Sequence, residues 1–583
     1  MPRSRTIVAA LAVSGLLAAP VAQAQEKDPT ARGRGGAAAT VDALATDAAI
    51  RALRAGGNAV DAAVAAAAVL GVTEPYSCGI GGGGFMMIRT PDGEVTSIDH
   101  REKSPRAMTP ESFRENGQVL GFSDARFSGM SAGVPGTVAG WERALRRYGT
   151  WTLRRALRDG IRVAREGFTV DQTFVDQTTS NIPWFDDIPS TAAIYLDPDG
   201  TAPDLGATLR NPDLARTYAR IGRLGARRGF YTGPVADAIV AATTAPPTAP
   251  TADKRWRPGV MAAADLAGYG APERKPTRVT YRGMDVWGMA PPSSGGSTVG
   301  EALNIMDGWP RTPQYRTLTL HRMIESARLA FADRNAFVAD PRFFDVPLAG
   351  LLSESFADER RALVRVGANN ATVAPGDPYR HQGGAGAAAA TVQHPSQSTT
   401  HLTVADARGT VVSYTFTIES TGGNGIVVPG YGFLLNNELT DFNFESVTHP
   451  NRADGGKRPR SSMAPTIVTR RGRPVLAVGS PGGATIITTV LQILVQRFES
   501  GMTLDEAIAF PRASQRNSST TQAESGFVSS AEGELLASRF GHRFAAGTEI
   551  GAATGIELLR GGRMLAAAEP VRRGGGHAAV VRR

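Results

Sequence analysis

The chain has 583 residues, 42% of them hydrophobic and 20% charged, with a formal net charge of +9. That composition supplies a large core, and the basic excess forms no dense Lys/Arg cluster interleaved with aromatics, which speaks against nucleic-acid binding. Cys78 is the single cysteine, so an intramolecular disulfide and a cysteine-based metal site are excluded and the fold must hold by burial.

Residues 1–24 combine Arg3 and Arg5, an apolar run over 7–21, and Ala22-Gln23-Ala24 before Gln25. This is the layout of a secretory signal with a small-residue cleavage site. The run is short for a membrane span of about 20 residues. The chain is therefore expected to be exported to a periplasmic or extracellular space, without stable membrane insertion. Over 38–72 the pattern predicts two helices joined at Gly56-Gly57-Asn58, the second alanine-rich, interrupted by Asp61 and packed closely on a sheet. Gly79-Ile80-Gly81-Gly82-Gly83-Gly84 formally satisfies G-x-G-x-x-G. The adjoining residues, FMMIRTPDGEVTSID, predict two strands and a turn where a dinucleotide site needs a helix, so the glycines are read as points of close backbone approach.

Arg101 comes after the second of these strands, in Asp99-His100-Arg101-Glu102. Gly133-Val134-Pro135-Gly136 marks a turn before a helix over 138–147, residues 150–240 read as mostly helical, and 243–251 as loop. Pro291-Pro292-Ser293-Ser294-Gly295-Gly296 is a further loop, leading to a helix from about residue 299. Residues 371–397, rich in Gly and Ala, predict a slack tail. It leads into SQSTTHLTVADARGTVVSYTFT, an alternating run broken at Asp406–Gly409 that predicts a β-hairpin. Pairing Leu402 with Tyr414 and Val404 with Val412 leaves one face apolar. The other face then sets Thr403 against Ser413, His401 against Thr415, and Thr399 against Thr417. A threonine pair across strands is, by itself, ordinary sheet stabilisation. Beyond lie Glu419, the segments Asn436-Asn437-Glu438-Leu439-Thr440-Asp441-Phe442 and Lys457-Arg458-Pro459-Arg460-Ser461-Ser462-Met463, and strands around 466–469 and 475–478. Gly479-Ser480-Pro481-Gly482-Gly483 then opens an apolar helix, ATIITTVLQILVQRF.

SQSTTHLTVAD, taken with DHRE before it and IES, NNELTDF, KRPRSSM and GSPGG in turn after it, resembles the γ-glutamyltransferases (glutathione hydrolases) of the N-terminal-nucleophile superfamily. The resemblance implies an α/β (α+β) fold, a four-layer αββα sandwich, and a chain that cuts itself between Ser398 and Thr399. Residues 25–398 and 399–583 would be the large and small subunits, a heterodimer forming one intertwined domain. Thr399 would be the nucleophile. Its freed α-amine, with a reference pKa of roughly 7.7–8.0, would be the base, so neither metal nor organic cofactor is required. Thr417 would orient the Thr399 hydroxyl, and the N–H groups of Gly482 and Gly483 would face the oxyanion. Arg101, Ser461 and Ser462 would take the donor's α-carboxylate, and Glu438, Asp441 and Glu419 its ammonium. The implied reaction cleaves a γ-glutamyl amide such as glutathione through a γ-glutamyl ester, with water, an amino acid or a peptide as acceptor.

A glutaryl-type cephalosporin acylase of the same family is the alternative, but glutaryl lacks the α-amine and gives Glu438, Asp441 and Glu419 no task. An unprocessed secreted binding protein would have no reason to keep Thr399, Thr417 and both glycines together. The sequence departs from the resemblance at two points. Glu419 stands where many relatives have asparagine and others glutamate, which puts three carboxylates near one ammonium. The connection over 441–461 is short and lacks the lid loop of many relatives, which implies an open site.

Overall fold

A computed structural model describes residues 27–384, 398–547 and 549–582. The expected signal segment, 1–24, and the 385–397 part of the expected tail lie outside them. In chain order the core is built from β1 (Thr30–Thr40), α1 (Ala43–Arg54), α2 (Ala59–Thr73), β2 (Gly83–Arg89), β3 (Val95–Asp99), α3 (Thr137–Tyr148), β4 (Thr277–Tyr281), β5 (Met284–Gly288), α4 (Gly295–Asp307) and α5 (Arg316–Phe337). The part after the expected cleavage point adds β6 (Thr400–Asp406), β7 (Val411–Thr417), β8 (Thr466–Arg470), β9 (Arg473–Gly479), α6 (Thr485–Phe498), β10 (Thr554–Leu558), β11 (Met564–Ala568) and β12 (His577–Arg582).

The strands make two antiparallel sheets that share β1. One runs β3-β2-β7-β6-β1-β12 and the other β1-β11-β10-β9-β8-β5-β4. The first residues of β1, Thr30 to Gly33, pair with β11, whereas Gly36 to Ala39 pair with β6. A register shift between Arg34 and Ala37 marks where the strand passes from one sheet to the other. Each sheet contains strands from both sides of residue 399, with β6 and β7 flanked by β1 and β2, and β8 to β11 flanked by β5 and β1, so neither piece has a core of its own.

The hairpin register is the one read from the sequence: His401 faces Thr415, Leu402 faces Tyr414, Thr403 faces Ser413 and Val404 faces Val412. Its apolar side packs under α1, α2 and α3. Its polar side is also buried, against the second sheet, where Ser413 Oγ donates to the Val478 carbonyl at 3.1 Å. His401 fills this interface, and Gly479 opposite it must lack a side chain, since an added Cβ would lie 2.3 Å from the imidazole. α4, α5 and α6 cover the outer face of the second sheet. The layers are therefore helix, sheet, sheet, helix, as the resemblance implied.

α2 is buried along its whole length. Alanine makes this work, because small side chains let the helix axis approach the sheet. Asn58 and Asp61 close a reciprocal capping box at its start, and the buried Asp61 carboxylate also accepts the Thr150 and Trp151 N–H groups at 2.8 and 2.9 Å. Such a cap stabilises a helix by about 1 kcal/mol. At Gly79–Gly84 the expected close approach is present, for an added Cβ on Gly82 would sit 1.9 Å from the Thr417 carbonyl oxygen.

Three expectations need correction. Residues 38–40 belong to β1 rather than to the first helix: pairing on both sides overrides the helix preference of Ala37-Ala38-Ala39. The helix after the PPSSGG loop starts at Gly295, not near 299, because that loop turns directly into the first helical turn. Residues 371–384 are not slack. Arg328 holds the Ala371 carbonyl at 3.0 Å, Arg360 holds that of Ala374 at 3.0 Å, and Asp333 accepts the Gly376 N–H at 2.6 Å.

Candidate active site

Thr399 immediately precedes β6, and Thr417 is the last residue of β7, so the hairpin mouth sets them side by side. The Thr399 hydroxyl lies 3.2 Å from the Thr417 hydroxyl and also donates to the Ser398 carbonyl. Thr417 Oγ1 is 3.3 Å from that same carbonyl and accepts the Glu419 N–H at 2.8 Å. The Ser398 hydroxyl donates to the Tyr76 carbonyl at 3.0 Å, and Arg573 donates to the Thr399 carbonyl at 2.8 Å. The junction is thus gripped on both sides, and Thr399 is only 3% exposed. In this continuous chain its nitrogen is an amide, not yet an amine.

Gly482 and Gly483 connect β9 to α6 with φ of 127° and 55°. A side chain is strained at both, most at Gly482. Their carbonyls accept the Thr485 and Ile486 N–H groups at 3.1 Å, whereas their own N–H groups have no partner among the described residues. Free N–H groups at the start of a helix are suited to a developing oxyanion.

Arg101, two residues past the end of β3, is 1% exposed. Its guanidinium donates to Glu438 Oε1, to Asp441 Oδ2 at 2.6 Å, and to the Pro459 and Arg460 carbonyls at 3.2 and 3.1 Å. Glu102 stands 4.0 Å away. Burial opposes the Arg101 cation, but Glu438, Asp441 and Glu102 more than offset it and hold its pKa above the ordinary value. Burial pushes the Glu438 and Glu102 carboxyls up, against the pull of Arg101. Glu419 has φ of 81°, a strained backbone for a residue with a side chain. Its carboxylate accepts from Ser420 and Asn437.

One cavity gathers Thr399, Thr417, Glu419, Arg101, Glu438 and Asp441 with Ser461, Ser462 and Gly483. Ser398 and Gly482 adjoin it in the chain without lining it. Ser461 Oγ accepts the Met463 N–H at 3.1 Å, and Ser462 Oγ accepts from Arg334 at 2.7 Å. Of the openness expected from the short 441–461 connection, the cavity keeps access at Asp441, whose side chain is 30% exposed, and at the half-buried Ser462. Phe442, Asn443, Asn451 and Arg460 of that connection fold inward as cavity wall, with Asn451 bridging the Asp441 carbonyl and the Arg460 N–H, while Glu445, Val447 and Thr448 stay exposed.

Sequence reasoning missed Glu102, Arg334 and Arg573. Arg334 carried a signal: Ala330, Phe331 and Phe337 place it on the buried face of α5, where an unpaired charge is out of character. Arg573 carried none, since only the fold brings it to Thr399.

The chain matches the family model described as gamma-glutamyltranspeptidase over residues 45–580. It is 38% identical to a glutathione hydrolase proenzyme of Bacillus subtilis subsp. natto over 525 residues, covering 88% of this chain and 86% of that protein. An acylase ACY 1 proenzyme of Pseudomonas sp. (strain SE83) is 35% identical over 498 residues, covering 84% of this chain and 83% of the relative. Among solved structures, a cephalosporin acylase from Bacillus halodurans superposes with a TM-score of 0.82 at 27% identity, covering 97% of this chain and 99% of that one. The four layers are those of an N-terminal-nucleophile hydrolase, and the chain belongs to the γ-glutamyltranspeptidase family.

Proposed function

We propose that this protein is exported as a precursor, cuts itself between Ser398 and Thr399, and then uses Thr399 to cleave γ-glutamyl amides. The enzyme class comes from the family: a γ-glutamyltransferase and glutathione hydrolase. Among the described residues no helix is long and apolar enough to cross a membrane. Residues 25–398 and 399–583 would stay together after the cut, because both sheets are built from strands of the two pieces hydrogen-bonded to each other.

Self-cleavage needs the Thr399 hydroxyl oxygen to attack the Ser398 carbonyl carbon. That step breaks the C–N bond, leaves an ester on Thr399 and turns its nitrogen into an amine; water then hydrolyses the ester. The hydroxyl already rests against this carbonyl. In turnover the same oxygen attacks the donor's γ-carbonyl, and the adjacent amine takes the proton and returns it to the leaving amine. Gly482 and Gly483 would hold the oxyanion.

The reading of the donor rests on one observation: the Arg101 cation and the Glu438 and Asp441 carboxylates pair with one another inside the cavity that holds Thr399. An α-amino acid end carries the same two charges. It can enter by exchanging ion pairs, its ammonium taking the acids while its carboxylate takes Arg101, so each buried charge keeps a partner. A glutaryl end brings only the carboxylate and would leave the acids uncompensated. The whole-chain likeness to acylases keeps the glutaryl reading as the rival. The test is side-by-side hydrolysis of γ-glutamyl and glutaryl anilides by the processed enzyme. A kcat/KM preference on the order of 10²–10³ for the γ-glutamyl donor is expected. Equal rates, or faster glutaryl cleavage, would overturn the assignment.

A further inference from the structure

Besides Arg101, the donor cavity is lined by two guanidiniums that the proposed reaction has not used: Arg460, which donates to the Arg334 and Asn335 carbonyls, and Arg334, which reaches Ser462. Arg334 projects from α5, lines the cavity and is 3% exposed. Its Nε donates to Ser294 Oγ at 2.8 Å, its Nη1 to Asn335 Oδ1 at 2.8 Å and its Nη2 to Ser462 Oγ at 2.7 Å. All three acceptors are neutral. Among the described residues no carboxylate lies within ion-pair distance of Arg334, and the nearby Arg460 has none either. Burial, reinforced by Arg460 and only partly offset by the more distant Asp441, holds Arg334 well below the usual guanidinium range. A buried cation with neutral partners alone is costly unless an anion joins it.

The contact with Ser462 has a consequence for polarity. A serine hydroxyl can either donate or accept. Here Arg334 occupies the oxygen as a donor, so the hydroxyl hydrogen must point elsewhere, and it has no acceptor among the described residues. Ser462 is left as a donor facing the cavity. The cavity therefore has two poles: acids at Glu438 and Asp441, and an outward donor backed by positive charge at Ser462 and Arg334.

We infer that Arg334 is a specificity-determining positioning residue, which fixes Ser462 as a hydrogen-bond donor and so makes this end of the cavity select a carboxylate on the donor's α-carbon. The inference rests on the γ-glutamyl reading above. It orients the donor, with carboxylate toward Ser462 and ammonium toward Glu438 and Asp441.

The experiment compares three anilides on the processed enzyme: γ-glutamyl, 4-aminobutyryl, which lacks only the α-carboxylate, and glutaryl, which lacks only the ammonium. Arg334→Met should lower kcat/KM for the γ-glutamyl anilide about 10–100-fold, mostly through KM, and change the 4-aminobutyryl anilide less than about 3-fold. Arg334→Lys should recover part of the loss. Equal losses with both donors would make Arg334 a structural strut and overturn the inference. If Arg334→Met stays uncut, Arg334→Lys, Ser462→Ala and their double variant carry the test. Action through the Ser462 hydroxyl requires that the double variant lose no more than the worse single one, and additive losses refute it. Failure of the donor reading shows separately, as wild-type enzyme that prefers the glutaryl anilide. That donor keeps its carboxylate and then replaces the γ-glutamyl anilide in the comparison.

Discussion

The Thr417 hydroxyl touches both partners of the self-cleavage step: it lies 3.2 Å from Thr399 Oγ1, the attacking oxygen, and 3.3 Å from the oxygen of the Ser398 carbonyl whose carbon is attacked. The Glu419 N–H fixes it there. Thr417→Val keeps the shape and the strand preference but removes the hydroxyl. Misplacing a nucleophile by about 1 Å can cost about 10²-fold in rate. Processing and kcat are both expected to fall by about that factor while KM changes little. A variant that matures and turns over at the wild-type rate would show that Thr417 is sheet packing only.

Maturation gives a direct readout. Purified wild-type protein should run as two bands of roughly 40 and 20 kDa, and N-terminal sequencing of the smaller should begin at Thr399. Thr399→Ala should remain one inactive chain. An active protein that runs as a single intact band would remove the basis of the mechanism.

Arg101→Lys tests recognition. Lysine keeps the charge but cannot donate to Glu438, to Asp441 and to two carbonyls from one rigid fork. Donor binding should weaken by about 1.5–3 kcal/mol, the scale of a charged hydrogen bond, read as a raised KM for a γ-glutamyl anilide. Unchanged kinetics would rule Arg101 out as the carboxylate clamp.

The two glycines should differ. At Gly482 an added Cβ would meet Thr485 Oγ1 at 2.6 Å, with φ at 127°. At Gly483 φ is 55°, inside the left-handed well that side chains occupy at modest cost. Gly482→Ala should therefore lose on the order of 10²–10³-fold in kcat, like the loss of an oxyanion donor, and Gly483→Ala clearly less. The reverse order would mean that the strained turn does not set the N–H directions.

The hairpin, its register and the candidate residues around Thr399 were legible because they are local patterns or contiguous motifs. Alternation fixes which side chains share a face, and His401, Thr415 and Thr417 are placed by it. The features that stayed hidden depend on distant partners. Ala37-Ala38-Ala39 reads as helix until β6 and β12 claim both its edges. The segment over 371–384 reads as slack because its anchors, Arg328, Asp333 and Arg360, belong to helices elsewhere. The pairing of Arg101 with Glu438 and Asp441 was equally hidden: each residue was legible alone, but not that the three side chains bond to one another.

Acid should destabilise the fold through a histidine held between its layers. His401 lies between the two sheets, with Nδ1 at 2.8 Å from Thr415 Oγ1 and Nε2 at 3.2 Å from Thr403 Oγ1. Ser413 and Gly479 close off the rest of the ring. No carboxylate is among these neighbours, and burial lowers the imidazole pKa from 6.5 to about 3. The unfolded chain takes up a proton near pH 6.5 and the folded chain only near 3, so below pH 6.5 the unfolded state binds more protons. Stability from this residue is complete above that pH, declines through the window, and is lost by about pH 3. At pH 5 the loss amounts to roughly 2 kcal/mol. His100, His449 and His542 are also lowered to about 3 and add to the same slope. His401→Gln keeps a polar group of similar reach that cannot protonate. Its melting temperature should start lower at pH 7.5 but fall less than that of the wild type between pH 7.5 and 5. Parallel falls in the two proteins would show that the ring between the sheets does not report the acid transition.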